Sequence, residues 1–162
     1  AVQRTALEIE GWLDLGCAEH ALQKLEALFA LPGARPAALI LRVRALVALG
    51  DFRAALLDLE EVQDFDHDPD WRDLTEAWCR KRIDDLPGAV QCMERLVART
   101  HHSAIGHFNL GCYLALRGES SRALDEVSLA CGLDPSFRAM LADESDLESL
   151  RHLPEFRALL DS

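Results

Sequence analysis

Three histidines and a cysteine lie close together in one stretch of the chain and could bind zinc. They are His101, His102, His107 and Cys112. Ligands on one helix share a face at i and i+4, but His107 and Cys112 are five positions apart. This spacing argues against a zinc site formed by these two residues. A catalytic pair of Cys112 with His107 or His102 has support only from its residue types.

Four aspartates alternate over residues 64–70, as they do at the start of a calcium-binding loop. The sixth loop position is Pro69 where the loop needs glycine, and the twelfth is Thr75 where it needs glutamate. An EF-hand is therefore excluded. We expect this acidic segment to be a solvated corner or a docking patch for a basic partner, and we predict no metal site and no cofactor.

The sequence also lacks the motifs that mark common active sites. It contains no nucleophile elbow, no phosphate-binding loop and no H-E-x-x-H zinc motif. We therefore predict a protein without catalytic activity.

Composition and charge narrow the class of protein. Ala, Leu, Asp, Arg and Glu dominate the 162 residues, whereas Val, Ile and Thr are scarce, which is typical of an all-helical domain. The net charge of −11 argues against a nucleic acid or an anionic membrane as partner. No apolar run is long enough to span a bilayer. The five cysteines include no C-x-x-C pair, which fits a reducing, cytoplasmic location.

A 34-residue period organises the elements that would position any site. Small residues recur at this interval in the predicted second helices, as do turn residues between the paired helices. The period predicts one domain over 1–162, with hairpins at about 2–35, 36–69, 70–103 and 104–137 and capping helices at 138–162. The recurring residues are Ala21, Ala55, Ala89 and Ala123, and Gly16, Gly50, Asp84 and Gly118.

The fourth copy carries the pattern most clearly. It reads Asn109-Leu110-Gly111-Cys112-Tyr113-Leu114-Ala115-Leu116-Arg117-Gly118, followed by Ala123-Leu124 and Asp134-Pro135. Small residues at 111 and 123 let two helix backbones come close. This order of Gly, Ala and Pro resembles the tetratricopeptide repeat (TPR), and the segment through Pro154-Glu155-Phe156 is similar to the end-of-group form of that family. The resemblance implies a right-handed α-solenoid of four TPR-like hairpins with a helical C-terminal cap. It also places His107 at a position where the family has a large residue, which implies a packed core histidine.

The third hairpin can be read in two registers. The 34-residue count places Glu76 and Arg80 at buried positions, where charged residues rarely lie without a partner. A shift of three residues places Trp71, Leu74 and Trp78 there instead. We expect the shifted register.

The TPR resemblance implies that the first helix of each hairpin lines a concave groove that holds an extended or helical peptide of a partner protein. A second interpretation packs Ile40 and Phe108 between neighbouring hairpins. In the third hairpin, the unshifted register places Trp71, Trp78, Lys81 and Arg82 in the groove. The shifted register places Arg72, Glu76, Cys79 and Arg80 there instead. The groove candidates are Ile40, Arg44, Val47, Trp71, Trp78, Ile105, Phe108 and Cys112.

Two other functions compete with this peptide groove. The family branch that grips a chaperone's C-terminal carboxylate needs Lys, Arg and Asn at positions that hold Ala6, Glu10, Ile40 and Cys112 here, so that function is not expected. The alternative is a structural role as a homo-oligomer, formed through apolar residues of the first hairpin. These residues are Leu7, Trp12 and Leu13.

Overall fold

A computed structural model of the protein describes residues 1–62 and 68–162. These residues form α-helices and two 3₁₀ helices without any β-strand, which confirms the all-α prediction. The α-helices are α1 (Val2–Asp14), α2 (Ala18–Phe29), α3 (Arg35–Leu49), α4 (Phe52–Val62), α5 (Pro69–Arg82), α6 (Leu86–Arg99), α7 (Ala104–Leu116), α8 (Ser120–Leu133), α9 (Arg138–Leu141) and α10 (Pro154–Asp161); the 3₁₀ helices are Pro135–Phe137 and Ser145–Leu150.

The chain divides into two compact units, Ala1–Arg72 and Asp73–Ser162, with the boundary inside α5. In the first unit α1 packs on α2 and α3 packs on α4. Its core includes Ile9, Leu25 and Leu28. In the second unit α7 packs on α8 around a larger core that extends from α5 to α10. The single domain expected over 1–162 stays a prediction.

The 34-residue period is visible in the backbone. The residue that ends the turn between paired helices has a positive φ in all four hairpins, and the alanines of the second helices are fully buried where the helices meet. Glycine adopts this left-handed conformation without steric cost. The positions are Gly16 (φ 76°), Gly50 (78°), Asp84 (65°) and Gly118 (81°).

Asp84 is the one non-glycine residue with positive φ in the described part of the chain. A residue with a side chain loses about 1 kcal/mol of conformational free energy in the left-handed region relative to glycine, and the loss is smaller for aspartate than for most residues. We therefore expect Asp84→Gly to raise the free energy of unfolding by roughly 0.5–1 kcal/mol. Urea unfolding measures the change. Asp84→Ala, which keeps a Cβ, should show no gain, and a gain in both variants would contradict this explanation.

The C-terminal cap keeps the same period. Adding 34 to the bounds of α7 gives 138–150, which spans α9 and the 3₁₀ helix that ends at Leu150. Adding 34 to the first residue of α8 gives 154, the first residue of α10. Leu147, Leu150 and Phe156 are fully buried in the core of the second unit. The cap is therefore a shortened fifth hairpin in register with the fourth.

The shifted register expected for the third hairpin is wrong. Asp73 and Glu76 of α5 are buried, whereas Trp78 is 41% exposed. The two carboxylates are tolerated because α6 supplies cations: Arg95 Nη2 lies 3.1 Å from Asp73 Oδ1 and 2.7 Å from Glu76 Oε2. The unshifted 34-residue count is thus the one that the structure follows.

Candidate functional site

A cleft of about 420 Å³ opens on the second unit, formed by α5, α7 and the segment that begins the second 3₁₀ helix. Trp78, Cys112 and Asp146 in its wall are each separated by one period and occupy the same position in three successive hairpins. The period that builds the hairpins therefore also builds the cleft. Its lining residues are Trp78, Lys81, Arg82, Asn109, Cys112, Tyr113, Glu144, Ser145 and Asp146.

The indole of Trp78 has two cationic groups close to it. Lys81 Nζ lies 5.5 Å from the ring centroid and Arg82 Cζ lies 5.6 Å from it. A cation near the face of a tryptophan ring is attracted to the negative charge of the π system. This part of the cleft therefore combines an exposed aromatic surface with positive charge.

An ion pair joins two walls of the cleft. Lys81 Nζ on α5 lies 2.7 Å from Asp146 Oδ2, and both side chains are largely buried. Glu144 accepts a hydrogen bond of 3.2 Å from the backbone N–H of Asp146. These contacts fix the position of the acidic wall and neutralise the charge of Lys81.

Asn109 and Tyr113 lie one turn apart on α7 and supply polar groups that the folded chain does not use. Within residues 1–62 and 68–162, no group hydrogen-bonds to the Asn109 carboxamide or to the Tyr113 hydroxyl. Tyr113 is only 3% exposed. Burial, reinforced by Cys112 and Asp146, raises the pKa of Tyr113, so its hydroxyl stays protonated and can donate. The polar atoms that are both fully buried and unpaired in the described residues belong to other side chains, so these two groups stay accessible from the cleft and a ligand can bond to them.

The cysteine in the cleft is not an activated nucleophile. Burial, together with the charges of Glu144 and Asp146, raises the pKa of Cys112, so it remains a thiol. Both ring nitrogens of His107 are engaged: Nδ1 lies 2.5 Å from Glu126 Oε2 and Nε2 lies 2.8 Å from the carbonyl oxygen of His101. The prediction of a packed core histidine at 107 is confirmed.

The candidate metal ligands of the sequence do not come together in the part of the chain that the structure describes. There, no three His, Cys, Asp or Glu side chains are grouped so that they could hold a metal ion. Two of the alternating aspartates, Asp64 and Asp66, lie outside the described residues. Over residues 1–62 and 68–162, every helix is too short or too polar to cross a membrane.

The remaining groove candidates lie in different surroundings. In the first unit, Ile40, Val47 and Trp71 are half-buried, and Arg44 Nη2 lies 3.4 Å from Asp14 Oδ1. In the second unit Ile105 is exposed.

Phe108 was expected to line the groove, but it is buried. Its ring centroid lies 5.0 Å from that of Phe137. Phe108 is therefore a core residue rather than a groove residue, because its side chain is used in packing the end of the fourth hairpin.

Sequence reasoning found part of the cleft and missed the rest. Trp78 and Cys112 were candidates, and Lys81 and Arg82 followed from the unshifted register. Tyr113, Glu144 and Asp146 were missed. The signal for Asp146 was present, since it lies one period after Cys112, but the cap does not repeat the small residues that mark the other hairpins.

Consecutive helical hairpins with a 34-residue period, a left-handed turn residue and buried small residues in the second helices define the fold as that of TPR proteins. The solved structure of the MamA RS-1 ArsTM double mutant resembles this chain with a TM-score of 0.77 and 17% sequence identity, over 98% of this chain and 93% of that one. YrrB, a TPR protein with an unusual peptide-binding site, resembles it with a TM-score of 0.74 and 14% identity, over 97% of this chain and 81% of that one. Neither a protein-family model nor a curated protein matches the sequence.

Proposed function

We propose that this protein is a non-catalytic interaction module that binds a peptide segment of a partner protein in the cleft of the second unit. The observation that carries the proposal is the pair of unpartnered polar groups, on Asn109 and Tyr113, beside the exposed ring of Trp78. The TPR fold supports it, since YrrB has the same fold and a peptide-binding site.

The chemistry of these groups matches a peptide chain. A carboxamide such as that of Asn109 donates and accepts at once, as a peptide group does, so the two can pair in both directions. The Tyr113 hydroxyl can donate to a carbonyl oxygen. Trp78 offers an apolar face for a side chain of the partner, and Trp, Tyr and Arg are the residues that most often dominate binding energy at interfaces. The cleft is large enough for a few residues of such a chain.

The other groove candidates extend this proposal. Ile40, Arg44, Val47 and Trp71 in the first unit and Ile105 in the second are proposed to contact the partner as well. The net charge of −11 supports a protein partner over nucleic acid or an anionic membrane, and a role as a cytoplasmic scaffold is proposed with it.

A second candidate function is self-association through the first unit. Leu7 and Leu15 are 66% and 73% exposed, which is unusual for leucine. Trp12 and Leu13, by contrast, pack against the core of that unit, so two of the three apolar residues expected at such an interface are largely used internally. Sedimentation equilibrium separates the two functions, because a homo-oligomer shows a mass that rises with concentration and that Leu7→Glu abolishes.

The proposal is tested with peptides selected from a random phage-displayed library and labelled with fluorescein. We expect Trp78→Ala and Asn109→Ala each to weaken peptide binding by about tenfold or more, since removing one hot-spot residue commonly costs at least 1–2 kcal/mol. Fluorescence polarisation gives the dissociation constants, and circular dichroism establishes that each variant is folded.

The matched control is Leu116→Ala. Leu116 lies on α7 and is exposed like Trp78, but it does not line the cleft. Its replacement should leave the affinity within about twofold, because residues outside the contact contribute little. Peptides that bind wild type, Trp78→Ala and Asn109→Ala equally would show that the cleft is not the site.

A further inference from the structure

A second groove lies on the second unit, between α8 and α10. It has a volume of about 330 Å³ and is separate from the cleft, with which it shares no lining residue. The first helices of the hairpins line the cleft, whereas the second helices line this groove. The residues of the groove are Ser121, Leu124, Asp125, Ser128, Glu155 and Leu159.

The groove has an apolar floor and polar edges. The four residues of α8 follow the i, i+3, i+4, i+7 pattern of one helix face, and Glu155 and Leu159 are one turn apart on α10. Leu124 and Leu159 are partly buried and pack against the core of the unit. Ser121, Asp125, Ser128 and Glu155 are more exposed than these two leucines.

An ion pair that joins α8 to the preceding second helix is not repeated here. Arg122 Nη2 on α8 lies 2.9 Å from Glu94 Oε1 on α6. The equivalent positions one period later are Ser128, in place of Glu94, and Phe156, in place of Arg122. Because Phe156 is fully buried, α8 and α10 do not form the corresponding bridge.

The charged residues that do line the groove are both acidic. Asp125 and Glu155 have no ion-pair or hydrogen-bond partner on their side chains within the described residues. Two like charges on the walls of one groove repel each other and cannot bridge it. A cationic group from another molecule would remove this repulsion, while an apolar side chain next to it would cover Leu124 and Leu159.

We propose that this groove is a second docking site, which takes a basic amphipathic segment of a partner protein. Lys or Arg of that segment pairs with Asp125 and Glu155, and a leucine-sized side chain one helical turn away packs on Leu124 and Leu159. Ser121 and Ser128 hydrogen-bond polar groups at the edges of the segment. The site does not depend on the cleft, so a partner could engage both with different parts of its chain.

The probe is a synthetic helical peptide with leucines at i and i+4 flanked by lysines, labelled with fluorescein, and an analogue in which glutamate replaces every lysine. We expect the lysine peptide to bind and the glutamate analogue not to bind. Asp125→Asn with Glu155→Gln should weaken binding about five- to tenfold, the effect of losing two partly exposed ion pairs. Ser128→Arg, at an exposed position, should abolish binding because its guanidinium fills the groove.

Controls separate this site from the general attraction of a basic peptide to an acidic protein. Glu26→Gln with Glu60→Gln removes the same charge from exposed positions of the first unit and should change the affinity less than about twofold. Trp78→Ala, in the cleft, should also leave the affinity for the lysine peptide unchanged. In ¹⁵N-labelled protein, the peptide should shift the amide resonances of Ser121, Ser128 and Glu155.

Four results would overturn the proposal. One is the absence of binding by the lysine peptide, and another is an equal loss of affinity in the Glu26 and Glu60 control. A third is a set of resonance shifts centred on Asn109 and Tyr113, which would place the peptide in the cleft. The fourth is a mass that rises with concentration and that Ser128→Arg returns to the monomer value, which would identify the occupant as a second copy of the chain.

Discussion

Gly111→Ala is expected to lower the free energy of unfolding by about 2–3 kcal/mol, the cost of forcing one extra methyl into a packed helix contact. A Cβ built on Gly111 would lie 2.5 Å from Val127 Cγ2, 3.1 Å from the carbonyl oxygen of Ala123 and 3.2 Å from the backbone nitrogen of Val127. Two of these atoms belong to the backbone of α8, and the third is on a stiff β-branched side chain. The methyl group therefore fits only if α7 and α8 move apart.

The control for this prediction is the same substitution at Gly132 on α8. A Cβ at Gly132 meets nothing within 4 Å, and its backbone is helical. Gly132→Ala should therefore stabilise the protein by roughly 0.5–1 kcal/mol, because alanine loses less conformational entropy than glycine in a helix. Urea unfolding followed by circular dichroism measures both variants. Equal effects at the two positions would mean that the close contact at Gly111 does not contribute.

The contact at Gly111 also shows what sequence reasoning could predict. Small residues at 111 and 123 were expected to let two helix backbones approach, and the structure confirms it, since a Cβ at Gly111 would touch Ala123. Such contacts are predictable because they depend on the absence of side chains at positions fixed by a period. The positive φ angles of Gly16, Gly50 and Gly118 follow the same logic, whereas Asp84 adopts one with a side chain in place.

The 34-residue period gave the correct register of α5, but a second rule was preferred to it and was wrong. The rule that charged residues avoid the interior favoured Trp71 and Trp78 as core residues. The exception arises because Asp73 and Glu76 on α5 are paired with arginines of another helix. Arg95 and Arg99 on α6 follow them in the sequence by 19 to 26 residues. A helical pattern along one segment contains no information about such a pairing.

Only the cleft residues that repeat with the 34-residue period were predictable. Trp78 and Cys112 follow from counting by the period, but the unpartnered state of Asn109 and Tyr113 depends on what the neighbouring helices fail to supply. The groove between α8 and α10 is a similar case, since the Arg122–Glu94 ion pair of the preceding helices has no counterpart across it. Polar and charged groups that lack a partner can be identified only when the positions of all the neighbouring helices are known.

Arg95→Met is expected to lower the free energy of unfolding by about 3 kcal/mol, the lower end of the cost of breaking a buried ion pair, because it removes one cation that two buried carboxylates share. Asp73 is 1% exposed and bonds Arg95 and Arg99 at 3.1 and 3.0 Å. Glu76 Oε2 accepts from Arg95 and lies 2.8 Å from Cys92 Sγ. Burial and this hydrogen bond raise the pKa of Cys92 to about 12, so its thiol stays neutral beside Glu76.

The control is Arg122→Met, which removes an arginine of similar exposure from α8. Its partners Glu94 and Glu119 are accessible to water, so the loss should cost no more than about 1 kcal/mol. Raising the salt concentration should reduce the effect at Arg122 and leave most of the effect at Arg95, because ions screen exposed pairs more than buried ones.

A second substitution identifies the origin of the loss at Arg95. Adding Glu76→Gln to Arg95→Met removes one buried charge. This should restore about 1 kcal/mol or more of the free energy of unfolding, since a neutral amide is easier to bury than a carboxylate that has lost Arg95. A double variant less stable than Arg95→Met alone would mean that Glu76 keeps its charge satisfied through Arg80, which lies 3.4 Å away. In that case Asp73, rather than Glu76, would be the carboxylate that makes Arg95 necessary.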